Sequence, residues 1–335
     1  MGGIDMRKFV ALSIILTVLG LFFSVNVPAQ AQPQIVMRLA ETHAPDYPTT
    51  KADYEFARLV EERTNGRIKI EVYPSAQLGE EKAVIEAVQF GAIDFNRTSI
   101  SPLSAFASNL IALQMPYLYR DDDHMWKVLT GPIGENFLNS LEQYNFVGLG
   151  WYDGGTRHFY NSKKEIKSVS DLKGMKIRVQ ESKLMTDLVS CLGAVPTPMP
   201  FGEVYSALQT GVIDGAENNL PSYYSTSHYE VAKYITLDGH SRIPEIIIAS
   251  KLSWGKLSKE DQEIIRQAAK DSMPYQIKLW KEFEKDSEEK TKSAGSIYTE
   301  LTPESLAEFQ KAVQPMYDAL SPELKEITEQ VRSVK

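Results

Sequence analysis

Between Asp171 and Asn219 short apolar strands alternate with amphipathic helices, each helix closed by a glycine, and this alternation restricts the fold more than any other feature. Met175, Ile177 and Val179 alternate with Lys176 and Arg178, the period-2 pattern of a strand with two unlike faces. The apolar spacing predicts a helix over 182–192 ended by Gly193, since glycine enters the left-handed cap conformation without steric cost. Pro196, Pro198 and Pro200 interrupt the connector to a second helix over 203–210, ended by Gly211. Residues 212–215 then read as a strand, and 216–219 as its polar exit. Polar residues leaving the end of a buried strand are where open α/β folds place ligands.

The same unit occurs earlier in the chain. Residues 67–73 alternate as a strand, 82–90 form a helix ended by Gly91, and 92–95 read as the next strand. Val84, Ala87, Val88, Gln89, Gly91, Ile93 and Asp94 match Val204, Ala207, Leu208, Gln209, Gly211, Ile213 and Asp214 at a constant spacing. Alternating strands and helices imply βαβ units and largely parallel sheets. A unit used twice implies an α/β chain of two similar lobes, with a cleft between them where a ligand would sit.

At 335 residues and 43% hydrophobic content, the chain is long enough for two lobes of ordinary size. Residues 1–31 read as a signal peptide: Arg7 and Lys8 precede an apolar run from Phe9 to about Val25, and Ala29-Gln30-Ala31 predicts cleavage after Ala31. No cysteine follows that run, which excludes a lipoprotein anchor, and export to the periplasm is expected. We expect residues 32–155 to form mainly the first lobe. Residues 156–250 should form mainly the second, with the crossing strands, and 251–335 the helices packing on both. A helix of about 258–292 carries a stripe of Ile265, Ala269, Met273, Ile277, Trp280 and Phe283, which reads as a brace along the body. Further strands are expected at 229–236 and 243–250.

The net charge of −8 with no basic block argues against nucleic acid. The single cysteine, Cys191, excludes a disulfide framework and reads as a small buried hydrophobe. The chain has no G-x-S-x-G, H-E-x-x-H or G-x-G-x-x-G at a helix start, and its five histidines lack metal-ligand spacing. Neither a catalytic residue, a metal nor a cofactor is therefore expected. Binding of an anion fits better. Arg157 and Arg178 sit on short strands near the crossing between lobes, and a guanidinium grips a carboxylate with two parallel hydrogen bonds.

KGMKIRV followed by PTPMPFGEVYSALQTGVIDGAEN resembles the signature region of the extracytoplasmic solute receptors of tripartite ATP-independent periplasmic (TRAP) transporters, and the similarity runs from about Val36 to the C-terminal region. The resemblance implies a two-lobed periplasmic binding protein, braced by a long helix, that delivers a small organic acid to a membrane permease. It places Arg178 at the family's carboxylate-binding arginine, Arg157 at a second arginine facing the ligand, Asn218 at a ligand-contacting asparagine and Phe201 at an aromatic packing on the ligand. The stretch ENNLPSYYSTSHYEVAKYITLDGHSRIPE resembles receptors for sugar acids, so a hexuronate such as glucuronate or galacturonate is the expected ligand. His43, Glu80 and Arg97 at polar exits of the first lobe, with Glu217, Tyr223, Asp238 and His240 from the second, complete the candidate contacts. A C4-dicarboxylate or a keto or hydroxy acid remains open as the ligand, and a secreted sugar-acid hydrolase or lyase as the alternative activity.

Overall fold

A computed structural model describes residues 35–335; the expected signal peptide lies outside the described residues. Two sheets carry the chain. The first contains β1 (Ile35–Ala40), β2 (Ile68–Tyr73), β3 (Phe95–Ser99), β4 (Phe146–Tyr152) and β10 (Glu245–Ser250), in the order β2-β1-β3-β10-β4. The second contains β5 (Thr156–Asn161), β6 (Lys176–Val179), β7 (Val195–Pro198), β8 (Gly215–Asn218), β9 (Tyr234–Arg242) and β11 (Ile297–Glu300), in the order β11-β9-β5-β8-β6-β7. Within each sheet the βαβ units pair in parallel, β1 with β2 and β3, and β6 with β7 and β8. In the first unit the helices are α1 (Pro48–Arg63) and α2 (Glu81–Gln89). In the second they are α3 (Lys183–Cys191) and α4 (Val204–Gln209), followed by the short α5 (Leu220–Ser225). Helix α3 buries Leu184, Met185, Leu188 and Val189, each contributing roughly 1.5–3 kcal/mol. Its last residue, Cys191, is part-exposed rather than buried, because it stands beyond the buried stripe at the C-terminal end of the helix.

Two antiparallel crossings join the sheets. Strand β4 runs into β5 through Asp153-Gly154-Gly155, and β9 returns into β10 through Ile243-Pro244. Tyr152 pairs with Glu245 on one side of the joint and Thr156 with Arg242 on the other. A side chain at Gly154 would meet the Ile243 carbonyl oxygen at 2.4 Å, so glycine is what lets the two crossings lie together. A third connection is helix α6 (Lys259–Ser293), capped by Ser258, which leads from β10 of the first sheet to β11 of the second. It packs on α1 and β4 of one lobe and on α5 of the other.

Several elements differ from the sequence expectations. The third strand of each unit is not 92–95 or 212–215 but the polar string after it, Phe95–Ser99 and Gly215–Asn218. Every residue of these two strands is buried, which is possible because their polar side chains find partners on other elements, Arg97 with Glu41 and Glu245, and Glu217 and Asn218 with Arg157. Residues 228–231 form a helical turn, and the strand expected at 229–236 starts at Tyr234 and continues to Arg242. On α6 the buried face is Ile265, Ala268, Ala269, Ser272, Gln276, Trp280, Ser287 and Thr291, whereas Met273, Ile277 and Phe283 are only half-buried. The face turns polar where the helix passes the crossings. Gln276 accepts a hydrogen bond from Asp153 N (2.7 Å) and donates to Asp153 O (3.0 Å), closing both backbone groups of a crossing residue.

Candidate functional site

The facing edges of the two sheets enclose a narrow cavity of about 20 Å³, far smaller than the ~300–1,000 Å³ of a small-molecule site, so the lobes are closed on each other and must part to admit a ligand. The first sheet and its loops line it with Thr42, His43, Tyr47, Thr49, Glu81 and Glu245. The second contributes Arg157, Arg178, Gln180, Phe201, Asn218, Asn219 and Ser222, and α6 adds Trp280. Contacts between the lobes close its sides. The Tyr47 and Ser222 hydroxyls lie 3.0 Å apart, His43 and Phe201 pack with ring centroids 5.2 Å apart, and Lys82 approaches Glu181 at 4.0 Å.

Arg178 is the least compensated charge in the site. It lies on β6 between two apolar residues that face the core, and its side chain is only 2% exposed. Its Nε and Nη2 both donate to the Met199 carbonyl oxygen (3.0 and 2.8 Å), and among the described residues it forms no ion pair. Burial lowers its pKa, with Glu217 opposing. A buried guanidinium held by one carbonyl, with further N–H groups at the cavity wall, is prepared to receive an anion.

Arg157 is different, because its charge is already matched. Its Nε donates to Glu217 Oε2 (2.6 Å), its Nη2 to Glu217 Oε1 (2.9 Å) and its Nη1 to Asn218 Oδ1 (2.9 Å). Behind it, His240 Nε2 lies 3.3 Å from Glu217 and His240 Nδ1 2.8 Å from Asp238. Burial opposes the ionisation of Glu217, but the Arg157 charge and the hydrogen bonds from His240 and Arg157 outweigh it and hold the pKa at about 2. Burial likewise opposes the His240 imidazolium, yet Asp238 and Glu217 raise its pKa to about 9. The arrangement depends on a bulge in β9: opposite the step from Arg157 to Phe159, the partner jumps from Ser241 to Thr236. Asp238 sits in that bulge, and its Oδ1 accepts from Phe159 N (3.1 Å), replacing a lost ladder bond.

The first lobe presents the opposite sign. Arg97, fully buried on β3, donates through Nε and Nη2 to Glu41 and through Nη1 to Glu245 (2.5 Å). Glu81, the first residue of α2, stands 4.0 Å from the same guanidinium and accepts from Ser99 N (3.1 Å). Burial raises Glu245 to about 7 against the pull of Arg97. Glu41 is held well below the carboxylate range, burial being overcome by Arg97 and His43. His43 stacks on Tyr47 (centroids 3.9 Å apart), and burial together with Arg97 lowers its pKa.

Of the residues singled out in the sequence, Arg178, Arg157, Asn218, Phe201 and His43 line the cavity. Glu217, Asp238 and His240 stand behind Arg157. Arg97 stands behind Glu245 and Glu41, so its charge meets carboxylates of the chain. Glu80 faces an adjoining opening of about 320 Å³ that it shares with His43 and Phe201, and its Oε1 approaches Gly202 of the other lobe. Tyr223 lies in the second lobe's core, its hydroxyl donating to Ala232 O (2.7 Å). Sequence reasoning missed Thr42, Tyr47, Thr49, Glu81, Gln180, Asn219, Ser222, Glu245 and Trp280. A carboxylate opening the isoleucine-rich run 245–250 was the available signal for Glu245, since a charge rarely enters a buried strand without a partner.

Comparison with known proteins agrees with this geometry. The family model for bacterial extracellular solute-binding protein, family 7, matches residues 39–323. A TRAP periplasmic solute-binding protein from Bradyrhizobium sp. BTAi1, solved with α/β-D-galacturonate, is 42% identical and superposes with a TM-score of 0.86 over 88% of this chain and 99% of that one. A second, from Chromohalobacter salexigens with bound D-glucuronate, is 37% identical with a TM-score of 0.85, covering 89% of this chain and all of its own. A solute-binding protein of Chromohalobacter salexigens is 37% identical over 317 residues, 95% of this chain and 94% of its own length. These relatives are receptors, and the hydrolase or lyase alternative finds no support among them. With a two-lobed α/β fold, a cavity between the lobes and a match over most of its length, the chain belongs to the bacterial extracellular solute-binding proteins of family 7 and serves as a receptor rather than an enzyme.

Proposed function

We propose that the chain is a periplasmic TRAP receptor for a hexuronate or a closely related sugar acid, which it hands intact to a membrane permease. The observation that carries the reading is Arg178, a buried guanidinium at the cavity wall without a carboxylate partner among the described residues. The bound galacturonate and glucuronate of two relatives support the choice of acid. Arg178 anchors the ligand carboxylate with two charge-assisted hydrogen bonds. Arg157 and Asn218 flank it, Phe201 covers the sugar ring, and Glu81, Glu245 and His43 take the hydroxyls.

The lobes open and close about the two crossing strands, and a ligand that touches both lobes stabilises the closed form. Export by the segment ending at Ala31 puts the receptor where such a transporter collects its cargo. No described helix is long and apolar enough to cross a membrane. The test is to purify the protein from cells, denature it and identify the released molecule by mass spectrometry. A thermal-shift screen of hexuronates, aldonates, C4-dicarboxylates and keto acids follows. A released hexuronate that raises the melting midpoint confirms the reading; stabilisation by a C4-dicarboxylate alone overturns it.

A further inference from the structure

The cavity is electrically polarised across its width, and the polarity restricts the ligand more tightly than an arginine anchor does. On one wall Arg178 has no carboxylate partner among the described residues and Arg157 is neutralised by Glu217. On the other wall Glu81 and Glu245 both reach the cavity, and behind them Glu41 is also bound to Arg97. Three carboxylates therefore share one guanidinium, which has no charge left to offer a ligand.

Neither carboxylate can swing away. Glu81 is fixed by the Ser99 amide (3.1 Å) and the Thr98 hydroxyl (3.3 Å) at the edge of β3, and Glu245 by Arg97 (2.5 Å). Hydroxyls facing this wall would donate to it; a carboxylate facing it would meet like charge in a site largely shielded from water.

We infer that Glu81 and Glu245 form a charge filter that admits acids bearing one carboxylate and a hydroxylated far end, and rejects diacids with a second carboxylate there. The inference rests on the proposed sugar-acid function and assigns its selectivity to the wall opposite the anchor. A hexuronate passes, because its far end is a set of hydroxyls. The aldarate made by oxidising the same sugar at C1 fails, although its open chain keeps the hydroxyls at C2–C4 and the same anchoring carboxylate. Selection by rejection of this kind depends on a repulsive element built into the site.

The experiment is titration calorimetry at pH 8.5, above the Glu245 pKa so that its carboxylate is charged, of D-galacturonate and of galactarate, its C1-oxidised diacid, against the wild-type protein, Glu81→Gln and Glu245→Gln. Wild-type protein should bind galactarate at least a hundredfold more weakly than galacturonate. Each amide variant keeps the shape of the wall and removes one charge, so the ratio between the two ligands should shrink at least tenfold, with galactarate affinity rising in absolute terms. Glu81→Gln is the safer variant, since Glu81 is held by one amide and one hydroxyl, and circular dichroism checks that both variants fold. Equal affinity for the two ligands in the wild type overturns the filter, as does an unchanged ratio in both variants, which would assign discrimination to shape. Failure of galacturonate and of every other sugar monoacid to bind would instead overturn the proposed function.

Discussion

Replacing Arg178 with methionine separates an anchor from a structural ion pair. Methionine keeps an unbranched stem but removes the guanidinium and its charge. If the guanidinium makes two charged hydrogen bonds to a ligand carboxylate, each contributes about 1.5–3 kcal/mol. The loss sums to about 3–6 kcal/mol, or roughly a hundred- to ten-thousandfold in dissociation constant. The effect on the empty protein has the opposite sense. Arg178 is buried and, among the described residues, has only the Met199 carbonyl as partner, and an uncompensated buried charge costs several kcal/mol. Against that gain stands the Met199 carbonyl, whose lost partner costs about 1–3 kcal/mol.

Arg178→Met should therefore bind a hexuronate at least a hundredfold more weakly in calorimetry, while the melting midpoint of the ligand-free variant equals or exceeds that of the wild type. A tenfold or smaller loss of affinity would refute the anchor. A ligand-free midpoint several degrees below wild type, with affinity little changed, would show that the guanidinium holds the fold instead.

Other perturbations test the surrounding structure. A side chain at Gly202 would come within 2.5 Å of Glu80 Oε1 across the cleft, so Gly202→Val should hold the lobes apart, weaken binding about tenfold or more and raise the radius of gyration of the liganded protein in small-angle scattering; an unchanged radius and affinity would count against closure at that contact. Gln276→Leu leaves both backbone groups of Asp153 without partners and should cost about 2–4 kcal/mol by denaturant unfolding; a loss below about 1 kcal/mol would mean that solvent replaces the clamp. His240 has its pKa raised from 6.5 to about 9, so its stabilising charge is fully present below pH 6.5 and is lost as pH rises through 9. The wild-type melting midpoint should fall over that window, and His240→Gln should remove this part of the slope; an equal slope in the variant would assign it elsewhere.

The sequence by itself determined the repeated α/β units and singled out the residue proposed as anchor. Alternating apolar positions with glycine stops set the βαβ units, because helix and strand periods are local properties of the chain. Arg178 could be named because it stands inside a short, strongly patterned strand within a long recognisable motif. The ends of the central strands were a different matter. The strings FNRTS and GAEN look like solvent-facing exits, yet they are buried strands, since Arg97 meets Glu41 and Glu245 and Arg157 meets Glu217.

Those partners lie far apart in sequence, and no local pattern announces them. The same holds for the buried face of α6, where Gln276 clamps the backbone of a crossing residue, Ser272 meets the Tyr152 hydroxyl, and Ser287 and Thr291 turn their hydroxyls onto the helix's own carbonyls in place of the expected apolar stripe. Only the tertiary structure decided which arginine is free for a ligand and which are neutralised. A side chain's type fixes the charge it carries, but whether that charge is available depends on what the rest of the chain brings beside it.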